Sequence, residues 1–153
     1  MKKLIFIIIL FLTTGIASAQ VTKATVGVDG FTCSLCAKGV EGELKSLDFV
    51  KSVKTNIKAT TFDLTFKTGS NIVISSIADA INDGGFTLRD IKIIASGKIV
   101  SDNNGGFKLV TGNTPDLMIK NLNGDYKDGD ELNITGMVNV SGKSVNVISA
   151  KKI

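Results

Sequence analysis

The chain contains no histidine and no tryptophan, and among its 153 residues it has two cysteines, one proline and one tyrosine. Without imidazole, neither a Ser-His-Asp nor a Cys-His arrangement can be assembled. Acid-base chemistry is left to carboxylates and lysines, so the chain is not read as an enzyme. A closed structural zinc site takes four protein ligands and is poorly served by two thiols. Basic residues number 18 against 14 acidic, and the positive charges are scattered rather than clustered among aromatics. That pattern belongs to a solvated surface and argues against a nucleic-acid partner.

Long apolar runs are also scarce, and the one present lies at the start. Lys2 and Lys3 precede an unbroken apolar stretch from Leu4 to Leu12, and Ala17-Ser18-Ala19 supplies the small residues a signal peptidase favours. Residues 1–19 therefore read as a cleaved signal peptide, with the mature chain starting at Gln20. The run is shorter than the ~20 residues that cross a bilayer as a helix, so no stable membrane insertion is expected after cleavage. Neither cysteine follows the apolar run, where a lipid-attachment cysteine would stand. A periplasmic or secreted product is expected. Loss of Lys2 and Lys3 leaves 16 basic against 14 acidic residues.

Two periodicities organise residues 20–94. Ala24, Val26 and Val28 alternate along a strand, and Phe62, Leu64 and Phe66 along another, with an irregular strand at Val50, Val53, Thr55 and Ile57 between them. Cys36, Ala37, Val40, Leu44 and Leu47 form one stripe on a helix from about Ser34 to Leu47; Gly39 and Gly42 inside it hint at close packing or local mobility. Ile74, Ile77, Ala78 and Ile81 mark a second helix ending at Gly84-Gly85. A fourth strand runs from Thr87 to Ile94. The order βαββαβ is the split pattern of ferredoxin-like folds, so the fold class is α+β.

Past Ser96 the helical period vanishes, and turn signals separate five short runs: Ile99-Val100, Phe107 to Val110, Leu117 to Leu122, Leu132 to Val140 and Val145 to Ile148. Residues 95–153 read as a small all-β module, with the boundary near residues 95–97. Met118 and Met137 read as core, Tyr126 as a packing or rim residue, and Pro115 as shaping a loop.

The chemistry concentrates in Gly30-Phe31-Thr32-Cys33-Ser34-Leu35-Cys36, between the first strand and the first helix. A disulfide is the ordinary use of two cysteines in an exported protein. Three residues apart, however, they close too small a loop to constrain the unfolded chain as well as the ~15-residue loop worth about 3 kcal/mol. Placed at a helix start, the pair meets unpaired backbone N–H groups and the positive end of the macrodipole, which favour thiolate. Two soft thiolates without imidazole suit a soft, low-coordinate ion, and Cu(I) is the common one; Hg(II) and Zn(II) are the alternatives.

Residues 22–94 resemble the heavy-metal-associated domain of copper chaperones, copper ATPase N-terminal modules and periplasmic mercury-binding proteins. The resemblance rests on GFTCSLC at residues 30–36 and on Gly85-Phe86. It implies that Cys33 and Cys36 are the metal ligands, that Phe31, in place of the family's methionine, anchors the loop beside Thr32, and that Phe86 shields the site. It also implies a metal-donating or metal-accepting partner protein, a membrane transporter among the candidates. Residues 95–153 are similar, in pattern only, to OB-like β-barrel modules. Three functions follow as expectations: a Cu(I) carrier, with a mercury-binding protein as its variant; a thiol-disulfide oxidoreductase, because CxxC at a helix start also serves redox chemistry; and an adaptor whose β module docks a membrane transporter.

Overall fold

A computed structural model describes residues 19–30, 32–103 and 105–153. The expected leader, apart from Ala19, and Phe31 lie outside the described residues. The elements run β1 (Val21–Asp29), α1 (Ser34–Ser46), β2 (Val50–Asn56), β3 (Thr61–Phe66), α2 (Ile74–Asp83), β4 (Thr87–Ser101), β5 (Phe107–Val110), β6 (Leu117–Lys120), β7 (Glu131–Val138) and β8 (Ser144–Lys152). The first six follow the βαββαβ order, and their strands pair antiparallel as β2-β3-β1-β4.

Alternation decides which face of this sheet is covered. Ala24 stands opposite Leu64 on one side and Ile93 on the other, and Val26 opposite Phe62 and Ile91. All six are buried, together with Ala37, Val40 and Leu44 of α1 and Ile74, Ile77 and Ile81 of α2. The helices thus cover one face and leave the other open. Gly39 and Gly42 lie on the outer side of α1, where an added Cβ would meet nothing within 4 Å, so neither glycine serves close packing.

The 15 residues of β4 join the two halves. One edge pairs with β1 and then, from Lys98, with β5; the opposite edge pairs with β7 from Ile91 to Lys98. Further pairings of β5 with β6, β6 with β8 and β8 with β7 close a five-stranded ring in which only β6 and β8 run parallel. Ile99, Leu109, Leu117, Leu132, Ile134 and Val145 fill it without exposure. Their cluster is continuous with the core under the helices.

Three readings of the sequence change here. The separate strand at Ile99-Val100 is the end of β4, and the boundary at residues 95–97 falls inside that strand. Ser96-Gly97 reads as a break, yet the burial of Ile91, Ile93, Ala95, Gly97 and Ile99 continues one uninterrupted alternation. Gly97 is required by proximity, since a Cβ there would stand 2.6 Å from the Val110 carbonyl oxygen. Met118 is 39% exposed rather than core, while Tyr126 packs on the cluster and donates its hydroxyl to the Ala150 carbonyl (3.3 Å).

A buried amide makes a second seam between the halves. Asn113, in the loop after β5, accepts from Val21 N–H (2.8 Å) and donates to Val21 C=O (3.0 Å), while its own carbonyl accepts from Ile72 N–H (2.7 Å). It satisfies the start of β1 and the approach to α2 together. Among the described residues no helix is long and apolar enough to cross a membrane.

Candidate metal centre

The chain leaves β1 at Asp29, turns through Gly30 at φ 99°, and reaches Cys33 in extended conformation (φ −120°, ψ 151°). Cys33 is the N-cap of α1. Its Sγ accepts from the Cys36 N–H at 3.1 Å, where a serine or aspartate oxygen commonly sits, and its carbonyl accepts from Ala37 N–H at 3.2 Å. The same geometry that starts the helix places both sulfurs at its positive end. No acidic residue lies in the first turn to offset that charge.

The two cysteines differ in setting. Cys33 is exposed, whereas Cys36 is half-buried against the core. Their Cα atoms are 5.4 Å apart and their sulfurs are joined as a disulfide. Thr32 is exposed, and Leu35 between the cysteines is 76% exposed. Among the described residues no group of three or more histidine, cysteine, aspartate or glutamate side chains converges on a metal position. The candidate donors there are the two sulfurs.

Phe86 reaches the loop through the end of α2. Gly85 adopts φ 80°, its N–H bonds to the Asn82 carbonyl (2.9 Å), and Phe86 N–H bonds to the Ile81 carbonyl (3.1 Å). This is the Schellman arrangement, which ends the helix and turns the chain back across it. The Phe86 ring then lies 3.7 Å from where a Cβ on Gly30 would stand, at the root of the cysteine loop. The structure thus places Cys33, Cys36 and Phe86 at one end of the domain.

Arg89 is the residue that reading missed. Its Nε donates to Asp90 Oδ2 (2.9 Å), its Nη1 to Asp29 Oδ1 (3.3 Å) and to Thr60 Oγ1 (2.8 Å), and its Nη2 to the Ala59 carbonyl (3.5 Å). It therefore ties the last residue of β1, one position before the Gly30 turn, to the β2–β3 turn and to β4. The Asp90 hydrogen bond, followed by Asp29, raises its pKa. Gly27 makes room, because a Cβ there would lie 2.7 Å from Nη2. The available signal was that Arg89 is the chain's one arginine.

The sequence profile of the heavy-metal-associated domain matches residues 25–87. The copper chaperone CopZ of Bacillus subtilis (strain 168) is 37% identical over 64 residues, covering 42% of this chain and 91% of that protein. This chain belongs to the heavy-metal-associated family. Among solved structures, a CopZ metallochaperone aligns with a TM-score of 0.41 at 25% identity, over 44% of this chain and all of that one. The yeast copper transporter domain Ccc2a, solved in solution in apo and Cu(I)-loaded states, aligns at 0.40 and 24%, over 44% and 92%. The family match ends at the first residue of β4, so the ring from β5 to β8 lies beyond it.

Proposed function

We propose that this protein is a non-catalytic metal carrier that binds Cu(I) between the reduced sulfurs of Cys33 and Cys36 and passes it to a partner by ligand exchange. The observation that carries the reading is a sulfur pair at an unneutralised helix N-terminus, with no third histidine, cysteine or carboxylate donor grouped with it among the described residues. Two thiolates and one Cu(I) carry a net negative charge, which that terminus stabilises. The copper chaperone relative supports the choice of cargo, while Hg(II) suits the same two sulfurs and Zn(II) lacks its usual further ligands.

The disulfide has no thiolate to offer, so the dithiol is the binding form. Exposed Cys33 is the sulfur an incoming partner thiolate displaces first, through a three-coordinate metal; half-buried Cys36 holds the ion meanwhile. Export to the periplasm or beyond belongs to the same proposal, on the composition of residues 1–19. The ring order β4-β5-β6-β8-β7, with its one parallel pair, supports the OB-like reading of the second half. In that reading the ring serves to dock a membrane transporter.

The test is a titration of the reduced mature protein with Cu(I) against a chromophoric competitor. Replacing Cys33 and Cys36 by serine is expected to abolish competition; unchanged affinity overturns the proposal. The disulfide at a helix start favours one rival, a thiol-disulfide oxidoreductase. Insulin reduction that turns over and needs both cysteines would put that rival first.

A further inference from the structure

The helix-free face of the sheet holds a groove of about 520 Å³, in which three lysines outnumber one carboxylate. Lys23 of β1, Lys54 of β2 and Lys92 of β4 line it, all exposed, and no ion pair holds any of them among the described residues. Its one carboxylate, Asp63, accepts a hydrogen bond from Thr25 Oγ1 at 2.8 Å. The floor includes Ile94, 40% exposed, and one wall is Thr135 of β7. That wall comes from the ring, so the groove is built jointly by both halves.

Register fixes the spacing of the charges. Lys54, Asp63, Thr25 and Lys92 lie in one row across β2, β3, β1 and β4. Three interstrand steps separate the Lys54 and Lys92 backbones by about 14 Å, which a single phosphate does not bridge. Carboxylates four residues apart on an extended peptide span about 13 Å. We infer that this groove docks an extended acidic segment of a partner protein, crossing the strands from Lys54 to Lys92 with Lys23 beside its path. Charge complementarity supplies steering and register, and the exposed Ile94, beside Lys92 on β4, offers an apolar contact at that end of the path. The site faces away from the helices and stands independently of the thiol pair, so a tethered partner leaves the cysteine loop open.

The probe is a capped nine-residue peptide with glutamate at its first, fifth and ninth positions and serine, threonine and valine between, added to the mature protein at low ionic strength. Amide chemical shifts are expected to move at Lys23, Thr25, Lys54, Lys92, Ile94 and Thr135, and to revert as salt is raised. The Lys54→Glu/Lys92→Glu double variant is expected to weaken binding at least about tenfold. Lys54→Gln/Lys92→Gln is expected to weaken it less, with Cu(I) competition unchanged in both variants as the check on folding. Absent or scattered shifts overturn the inference, as does indifference to both variants. It is also overturned if inorganic phosphate at equal concentration reproduces the shifts, or if phosphatidylglycerol vesicles bind through the same lysines while the peptide does not.

Discussion

The cysteine loop and the β4 junction sit at opposite extremes of the same chain. At the loop, Thr32 to Leu35 are exposed, and the sulfurs rest on one N–H bond, a helix start and the edge of the core. At the junction, Ile93 has β1 on one side and β7 on the other and is 1% exposed. A metal that must be handed over needs sulfurs a partner can reach, and such a loop cannot also carry the fold. Stability is held where the two halves share a strand and one hydrophobic cluster. This contrast predicts that mutations at the junction unfold both halves together, while mutations at the loop change exchange chemistry and leave the fold.

The largest expected effect breaks the junction. Ile93→Ala should cost about 2–5 kcal/mol, the range for deleting a buried branched side chain. Denaturant unfolding followed by Tyr126 fluorescence, which reports the ring, should coincide with exchange of the β3 amides, which report the ferredoxin-like sheet. Two separate transitions would show that β4 joins two independent units. Asn113→Ala should come next, at about 1–3 kcal/mol, because it strands the buried N–H and C=O of Val21. Amide exchange near Val21 should accelerate before the rest of the sheet does.

Much of the first half was legible because its periods are strong. Phe62, Leu64 and Phe66 alternate without interruption, and Val40 and Leu44 fall on one helical stripe; each pattern matches the burial found. The cysteine pair was legible for a related reason, since a strand, a glycine and an amphipathic helix in succession place it at a helix start. The junction was not. Gly97 carries no side chain to continue the alternation, and its requirement comes from Val110, which touches it only after the chain has doubled back. Asn113 is likewise 92 residues from Val21. Arg89 acts through a turn, and nothing in its local spacing shows that Thr60 and Asp29 lie within reach.

A smaller effect sharpens the loop side. Gly27→Ala places a Cβ against the Arg89 guanidinium and the Asp90 carboxylate, which are flexible enough to move aside. The unfolding midpoint should stay, because exposed ion pairs contribute little. Arg89 should nevertheless leave Asp29 and Thr60, freeing the residue before the Gly30 turn. Faster amide exchange at Thr32 and Cys33 with an unchanged midpoint would place the clamp on the loop alone. A shift of the midpoint equal to that of Asn113→Ala would erase the distinction between the regions.

The smallest change in stability that should still be measurable lies between the two regions, on the helix that starts at the cysteines. Glu41 accepts hydrogen bonds from Lys45 on the same helix and from Thr55 Oγ1 of β2 (2.7 Å). The Lys45 bond, then the Thr55 bond, hold its carboxyl below the usual glutamate range. A depressed folded pKa means the unfolded chain takes up the proton first. The contribution is therefore complete above the ordinary glutamate value and is lost as pH falls through the lower folded value. Screening by solvent around Lys45 keeps it to about 0.3–0.5 kcal/mol. Glu41→Gln should lower stability by that amount at pH 7 and by nothing once both forms are protonated. A difference that persisted at low pH would mean that the Thr55 contact anchors α1 through geometry rather than charge, and would move this end of the helix from the loop's side of the comparison to the junction's.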